Sequence, residues 1–331
     1  MTLRVGINGF GRIGRSVTRI LRQTPGMKLV AINDLAEPEQ LAYLLKYDTI
    51  FGNFHGSVQT QGQCLHIDDW KVHVSSERDP ENIAWGVHKV DVVLESTGAF
   101  KQRDQLEKHL KAGAPKVLLS VPPKGSLDAT IVFGVNEDTL KPSDTLVSNA
   151  SCTTNAAAPL LKLLHQAFGI QSGYLNTIHA YTNAQKIHDS PNKDWRRGRA
   201  ALSSIIPTTT GAAQAVAEVI PELAGKLQGM AYRVPVINGS MVDLVLNFER
   251  EVSVESLNNL IEKASKTTHK GIIAFTTDAL VSSDIIGNSH SSIFDASLTQ
   301  LITPFSAHIA SWYDNEFGYS HRLVDLLRKM T

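Results

Sequence analysis

A glycine-rich turn lies almost at the start of the chain, and it restricts the fold more than any other segment. Gly9-Phe10-Gly11-Arg12-Ile13-Gly14 fits the pattern GxGxxG. Leu3 to Ile7 before it is apolar and β-favouring and reads as a buried strand. A helical pattern follows from Ile13 to Leu21, and Lys28 to Ile32 reads as a second buried strand. Strand, tight turn, helix and strand make a βαβ unit. The first glycine suits a tight turn, the second lets backbone approach a pyrophosphate, and the third lets helix and strand pack closely. Glycines also cluster in turns for steric reasons alone, so the motif needs its context. Asp34 supplies it, about twenty residues beyond Gly14, at the spacing of a ribose-binding acid. Its carboxylate can accept from both ribose hydroxyls and would repel a 2′-phosphate, which favours NAD over NADP. The plainer reading of Asp34 is a solvated turn residue.

The alternation continues through Val90 to Glu95, a helix around Arg103 to Ala112, and Lys116 to Ser120. Strands alternating with helices imply a parallel sheet covered on both faces, a doubly wound Rossmann-like α/β domain over residues 1–150. The pattern changes after Ser151. A long helix is expected over Thr153 to Ala167, then longer strands at Tyr174 to Tyr181, Gly229 to Pro235 and Met241 to Phe248. Residues 151–315 therefore read as an α+β catalytic domain with a mainly antiparallel sheet. A last helix, Gly318 to Arg328 within about 316–331, is expected to pack back onto the first domain. The polar stretch 183–203 is too long for an ordinary connection, so it is functional or mobile.

Composition removes several function classes. The 331 residues carry 32 basic and 32 acidic side chains, so no basic excess points to nucleic acid and no acidic arm is present. Cys64 and Cys152 are the two cysteines, too far apart for a CxxC motif, which argues against a disulfide scaffold and a metal knuckle. The opening MTLRVGINGFGRIGR lacks the apolar segment of a secretory signal, and no apolar run approaches a membrane span. A cytoplasmic location, with reduced thiols, is the expectation.

The densest chemistry is Ser148-Asn149-Ala150-Ser151-Cys152-Thr153-Thr154-Asn155, where an extended segment meets a helix. A thiol at a helix N-terminus feels the positive dipole end, which lowers its pKa from about 8.5 toward ~3.5–7.5. The opposing reading is a buried, inert cysteine. A thiolate nucleophile wants a base or cation, and His179, at the end of an expected strand, is the candidate among 12 histidines. Thr208-Thr209-Thr210-Gly211-Ala212-Ala213 opens a helix and suits either a phosphate or ordinary capping. Arg233 lies in an apolar strand, where its charge needs a bound phosphate or a buried salt bridge. Arg196, Arg197 and Arg199 in the long loop are either solvated or phosphate-binding.

Along essentially the entire chain, INGFGRIGR, AINDL, LLKYD, ESTG, SNASCTTN, HAYTNAQ, KDWRRGR, SIIPTTTGAA, MAYRVP and WYDNEFGYS resemble the phosphorylating, NAD-dependent glyceraldehyde-3-phosphate dehydrogenase family. The resemblance implies Cys152 as nucleophile and His179 as the group that activates its thiol. It implies NAD contacts at Arg12, Ile13, Asp34, Arg78, Ser120 and Asn315, alongside Gly9, Gly11 and Gly14, with the Asn315 amide orienting the nicotinamide carboxamide. Ser151, Thr153, Thr210 and Gly211 correspond to a site for inorganic phosphate, Thr182 and Arg233 to one for the substrate phosphate, and Arg197 lies close to both. The family also implies a homotetramer, with the 183–203 loop near a neighbour's cofactor.

The chain departs from the family in places. Ala156 stands where many relatives carry a second cysteine, which removes a disulfide partner for Cys152. Ala184 replaces an acid that some relatives place beside the substrate phosphate, and Ser190-Pro191 stands where NAD-specific members often have Leu-Pro. The rival within the same chemistry is erythrose-4-phosphate dehydrogenase, which gives its thioester to water, and Thr182 with Thr210-Gly211 argues against it. A cofactor-free cysteine hydrolase or acyltransferase conflicts with the βαβ unit and Asp34, and nothing in the sequence supports a nucleic-acid-binding role.

Overall fold

In the computed structural model, which describes residues 2–331, the opening apolar run forms β1 (Leu3–Asn8), its last four residues all buried. A strand needs no polar face when helices cover both sides of its sheet. Next come α1 (Arg12–Arg22), β2 (Met27–Asn33), α2 (Pro38–Lys46), β3 (Val58–Thr60), β4 (Cys64–Ile67) and β5 (Trp70–Ser75). β6 (Val92–Glu95), α3 (Arg103–Lys111), β7 (Val117–Leu119), β8 (Ala129–Thr130) and β9 (Leu146–Ser148) complete the sheet. The strand order is β3-β4-β5-β2-β1-β6-β7-β9-β8. Every neighbouring pair is parallel except β3–β4 and β4–β5, which form an antiparallel edge that periodicity did not reveal. β1 has β2 on one side and β6 on the other, so the order reverses there. A ligand crevice in such sheets opens at that switch point, beyond the strands' carboxyl ends.

The chain divides into two units. The first takes residues up to Ile131, Asp138–Ala150 and Ser320–Thr331; the second takes Val132–Glu137 and Ser151–Tyr319. The short 132–137 segment joins the second unit through bonds of its own, such as the Gly134 carbonyl accepting from His269 Nε2 at 3.0 Å.

The second unit starts with α4 (Cys152–Phe168), β10 (Ile170–Ala180), β11 (Ile206–Thr208), α5 (Ala212–Val219), β12 (Leu227–Val234) and β13 (Ser240–Phe248). α6 (Val254–Lys266), β14 (Ile273–Thr276), β15 (Ser292–Asp295), β16 (Gln300–Thr303), β17 (Ser306–Tyr313) and the start of α7 (Phe317–Lys329) follow. Its sheet runs β11-β12-β10-β13-β17-β15-β14, with β16 on β17. Only β10–β12 and β14–β15 are parallel, so the sheet is mainly antiparallel. α4 lies against β13, β15 and β17, and its buried Ala156, Ala157, Leu160, Leu161 and Leu164 provide the apolar face.

The long 183–203 loop has no helix or strand, but it is braced across itself. Ser190 N donates to the Gly198 carbonyl at 2.8 Å and Ala201 N to that of Lys186 at 2.9 Å. Asp189 accepts from Arg199 Nε and Ala200 N, both at 2.9 Å.

Candidate active site

The glycine turn has no room for a side chain at two of its three glycines. Gly9 has φ +90°, and a Cβ there would lie 2.7 Å from Thr97 N. A Cβ at Gly14 would come within 2.5 Å of the Gly9 carbonyl oxygen. A Cβ at Gly11 would meet nothing, so the space over the start of α1 stays clear. No side chain caps α1 and no acid sits in its first turn, so no carboxylate offsets the positive end of its dipole. A cleft of about 380 Å³ beside the turn is lined by Gly9, Gly11, Asp34, Arg78 and Thr97 among others.

Asp34 is not a free acceptor. Its Oδ2 accepts from Phe10 N at 2.7 Å and its Oδ1 from Ala36 N at 3.0 Å, so the carboxylate also ties the glycine turn to the end of β2. Each oxygen keeps a lone pair for a ribose. Arg12 opens α1, and its guanidinium pairs with Asp48 of the LLKYD segment and lies 5.3 Å from the Phe51 ring centroid. Ile13 is half-buried in the same turn. Ser120 is buried just past β7, its N–H donating to the Glu95 carbonyl at 3.0 Å.

The cysteine sits where sequence placed it. The chain turns at Ala150, a non-glycine residue with φ 55°, and Cys152 is the first residue of α4. Ser151 caps that helix, its Oγ accepting from Thr154 N at 3.0 Å. Asn155 Nδ2 donates back to the Ser151 carbonyl at 2.9 Å. Cys152 Sγ lies 3.5 Å from Nε2 of His179, near the end of β10.

Register explains the third member. β10 and β12 run parallel with His179 opposite Arg233, so the guanidinium reaches the ring. Arg233 Nη1 lies 2.5 Å from His179 Nδ1 and donates to the Ala180 carbonyl at 2.9 Å, while Nδ1 is 2.6 Å from that same carbonyl. Nδ1 thus has a donor and an acceptor in reach. Protonated at Nδ1, the ring bonds Ala180 and turns a bare Nε2 to the sulfur. Protonated at Nε2, it accepts from Arg233 and offers N–H to the sulfur side. The buried salt bridge allowed for Arg233 is absent: among the described residues it bonds no carboxylate.

Burial sets the proton positions. It drives the His179 pKa down to about 3, with the positive Arg233 adding to the effect, so the imidazole is neutral. The expected depression of the Cys152 thiol is not found. Burial pushes it up and outweighs Arg233 and the N-terminal amides and hydroxyl of α4, which pull it down. The resting pair is therefore thiol and neutral imidazole.

Sequence reading missed Tyr313. Its hydroxyl lies 2.9 Å from Thr153 Oγ1 and 2.8 Å from Thr177 Oγ1, and its ring stands edge-on to His179 with centroids 6.0 Å apart. Burial pushes this phenol well up, so it keeps its proton. Only tertiary packing of β17 on β13 could reveal it. Arg197 Nε donates to Thr208 Oγ1 at 2.7 Å, and its charge reaches Arg233. Thr210 Oγ1 accepts from Ala212 N at 3.2 Å, beside Gly211, the N-cap of α5, which has no side-chain cap. Thr182 N donates to Gln185 Oε1 at 3.1 Å. Among the described residues, no hydrogen bond joins Thr182, Thr210 or Gly211 to Cys152. Asn315 is buried, and its Oδ1 accepts from Gly239 N and from Ser240 Oγ.

Residues 3–103 match the family model described as glyceraldehyde 3-phosphate dehydrogenase, NAD binding domain, and residues 151–315 match its C-terminal domain. The chain is 54% identical to glyceraldehyde-3-phosphate dehydrogenase of Thermotoga maritima over 98% of both chains. It is 52% identical to the protein of that name from Geobacillus stearothermophilus, covering 98% of this chain and 97% of the relative. It is 50% identical to glyceraldehyde-3-phosphate dehydrogenase 2 of Streptomyces avermitilis, over 98% of both. With a dinucleotide-type cleft in one unit and a helix-capped cysteine beside a histidine in the other, the chain belongs to the glyceraldehyde-3-phosphate dehydrogenase family.

Proposed function

We propose that this protein oxidises D-glyceraldehyde 3-phosphate to 1,3-bisphosphoglycerate with NAD as cofactor, through a thioester on Cys152. The observation that carries this is the Cys152 Sγ–His179 Nε2 pair, 3.5 Å apart at the N-terminus of α4. Residues 1–150 with the C-terminal helix hold NAD, and 151–315 hold the substrate. Gly9, Gly11, Arg12, Ile13 and Gly14 form the pyrophosphate turn, Asp34 takes the ribose, and Arg78, Ser120 and Asn315 complete the cofactor contacts.

In the first step His179, with Nε2 bare, takes the thiol proton as sulfur attacks the aldehyde carbon. Burial and the Arg233 charge disfavour a lasting imidazolium, so the ring returns that proton to the forming oxyanion and leaves a hemithioacetal. The Cys152 amide supports the oxyanion. In the second step His179 removes the hydroxyl proton as the carbonyl reforms, leaving a thioester. Bound NAD supplies the acceptor for the hydride lost from that carbon. Inorganic phosphate then attacks the thioester, forming the acyl phosphate and freeing the sulfur. Ser151, Thr153, Thr210 and Gly211 bind this phosphate, Thr182 and Arg233 bind the substrate phosphate, and Arg197 serves both. Arg233 suits its part because it is a cation without a carboxylate partner.

We place the protein in the cytoplasm as a homotetramer. Exposed Ile187, Trp195 and Ile205 in and beside the 183–203 loop support assembly through that loop. No helix among the described residues is long and apolar enough to cross a membrane. Light scattering should give a particle four times the 36.1 kDa chain mass; a monomer would reject the assembly.

The deciding experiment follows NADH formation with glyceraldehyde 3-phosphate and with erythrose 4-phosphate, each with and without phosphate or arsenate. Fast, phosphate-dependent turnover of the triose is expected. Phosphate-independent turnover favouring the tetrose would mean that water takes the thioester, and the proposal would fall to erythrose-4-phosphate dehydrogenase.

A further inference from the structure

Ser240 opens β13 where three pieces of the second unit meet. Across β17 it stands opposite Tyr313, two residues before Asn315. On its other side the β10–β13 ladder ends at Ile178–Met241, so the N–H of Ala180 has no main-chain partner from β13. The Ser240 hydroxyl fills that gap. Its oxygen accepts from Ala180 N at 3.1 Å, and its proton goes to Asn315 Oδ1 at 2.8 Å. Ser240 and Ala180 are completely enclosed and Asn315 nearly so, which leaves no water to compete for these bonds.

The chemistry of the donors fixes which end of the Asn315 amide faces which way. Gly239 N is a donor only, and it points at the same side-chain atom at 3.1 Å. That atom is therefore an acceptor, and the Ser240 hydroxyl, whose oxygen accepts from Ala180 N, meets it as a donor. Two donors converge on one atom, so that atom is the oxygen and the NH2 group faces away as the free end. A flipped amide would set its NH2 against the Gly239 N–H, donor against donor.

We infer that Ser240 is a positioning residue for the cofactor: beside the Gly239 N–H, which selects the oxygen, its hydroxyl holds the Asn315 amide so that NH2 meets the nicotinamide carboxamide. This rests on the reading of Asn315 as the carboxamide contact. The locked donor selects the carbonyl oxygen of the carboxamide and so fixes which way the nicotinamide ring lies. The same hydroxyl holds Ala180, whose carbonyl receives Arg233 and the His179 ring. Cofactor orientation and the histidine's backbone anchor thus share one side chain.

The test compares NAD with its thionicotinamide analogue, in which the carbonyl oxygen is replaced by sulfur, a weaker acceptor. The quantity read is the ratio of kcat/KM for the two cofactors in the holoenzyme, for wild type, Ser240→Ala, Ser240→Cys, Ser240→Thr and Asn315→Ala. Losing one hydrogen bond that fixes the amide should cut the ratio about three- to tenfold in Ser240→Ala. Asn315→Ala should cut it at least as far, and the retained hydroxyl of Ser240→Thr should restore it. A merely structural role would slow both cofactors alike and leave the ratio unmoved. Should Ser240→Ala fail to fold, the near-isosteric Ser240→Cys, with its weak donor, must still lower the ratio. A wild-type ratio in Ser240→Ala or Ser240→Cys, beside a collapsed one in Asn315→Ala, overturns the role of Ser240 alone. A wild-type ratio in Asn315→Ala overturns it together with the reading of Asn315.

Discussion

His179 and Cys152 have opposite needs, and Arg233 acts on both. Its charge opposes protonation of the imidazole and favours ionisation of the thiol. Replacing it with methionine keeps the bulk and removes the charge. Burial remains the larger influence on His179, so the imidazole stays neutral, and the thiol loses one of the groups that pull its pKa down. In Arg233→Met, alkylation of Cys152 by uncharged iodoacetamide should slow at neutral pH, with its midpoint displaced upward. An unmoved profile would show that the guanidinium does not act on the sulfur. Cys152→Ser should reduce oxidation by about a thousandfold or more while NAD binding, read by fluorescence titration, stays near wild type; comparable turnover would remove the thioester from the mechanism. At this scale the sequence was legible for groups that sit in distinctive short segments, Cys152 and His179 above all. It was silent on Tyr313 and Ser240, whose partners are 136 and 75 residues distant along the chain. It also misjudged the thiol, because a helix N-terminus is visible in sequence and the burial that overrides it is not.

Elements place these residues through register and capping. A one-residue slip of β10 against β12 would turn His179 to the other face of the sheet and away from Arg233. The βαβ element at the N-terminus was readable because its signals are local: an apolar strand, glycines at fixed offsets, and an acid at the end of the next strand. The double duty of Asp34 was not, since its bond to Phe10 N depends on how β2 lies beside β1. That bond sharpens what Asp34→Arg should do. The cation would welcome a 2′-phosphate, so kcat/KM for NADP relative to NAD should rise about one to two orders of magnitude. The glycine turn would lose its tether as well, so affinity for NAD should fall. Unchanged NAD affinity would show that this carboxylate neither binds ribose nor shapes the turn.

At the scale of the whole molecule, the change from a parallel to an antiparallel sheet was legible because strand length and the spacing of helices change near Ser151. The β3–β4–β5 edge escaped, since strands of three to six residues carry too little pattern. The bracing of the 183–203 loop escaped because its bonds pair residues at irregular spacings, Ser190 with Gly198 and Lys186 with Ala201, that follow no periodic pattern. Buried titratable groups spread through both units make one prediction for the molecule as a whole. Burial lowers the pKa of His179 to about 3, and of His88 and His269 below the usual 6.5. Around Asp128, burial pushes up but is outweighed by the Leu146 amide, Arg103 and Thr145, which hold it at about 2. For each, the unfolded chain binds protons more readily than the native one, so stability rises with pH through these windows and falls on acidification. The histidine contribution is complete above about 6.5. For His179 it declines down to about 3, while that of Asp128 is lost between 3.8 and about 2. Asp325 works the other way, because burial raises its pKa, yet its window lies above 3.8 and opposes three histidines. Near pH 5.5, His179 alone should contribute a slope of about 1 kcal/mol per pH unit. Thermal unfolding midpoints should therefore drop between pH 7.5 and pH 5. A His179→Asn variant should show a shallower drop, since its side chain cannot take up a proton on unfolding. A flat or rising midpoint across that interval would mean that these imidazoles are already charged in the native protein, and the neutral resting state of His179 would have to be abandoned with it.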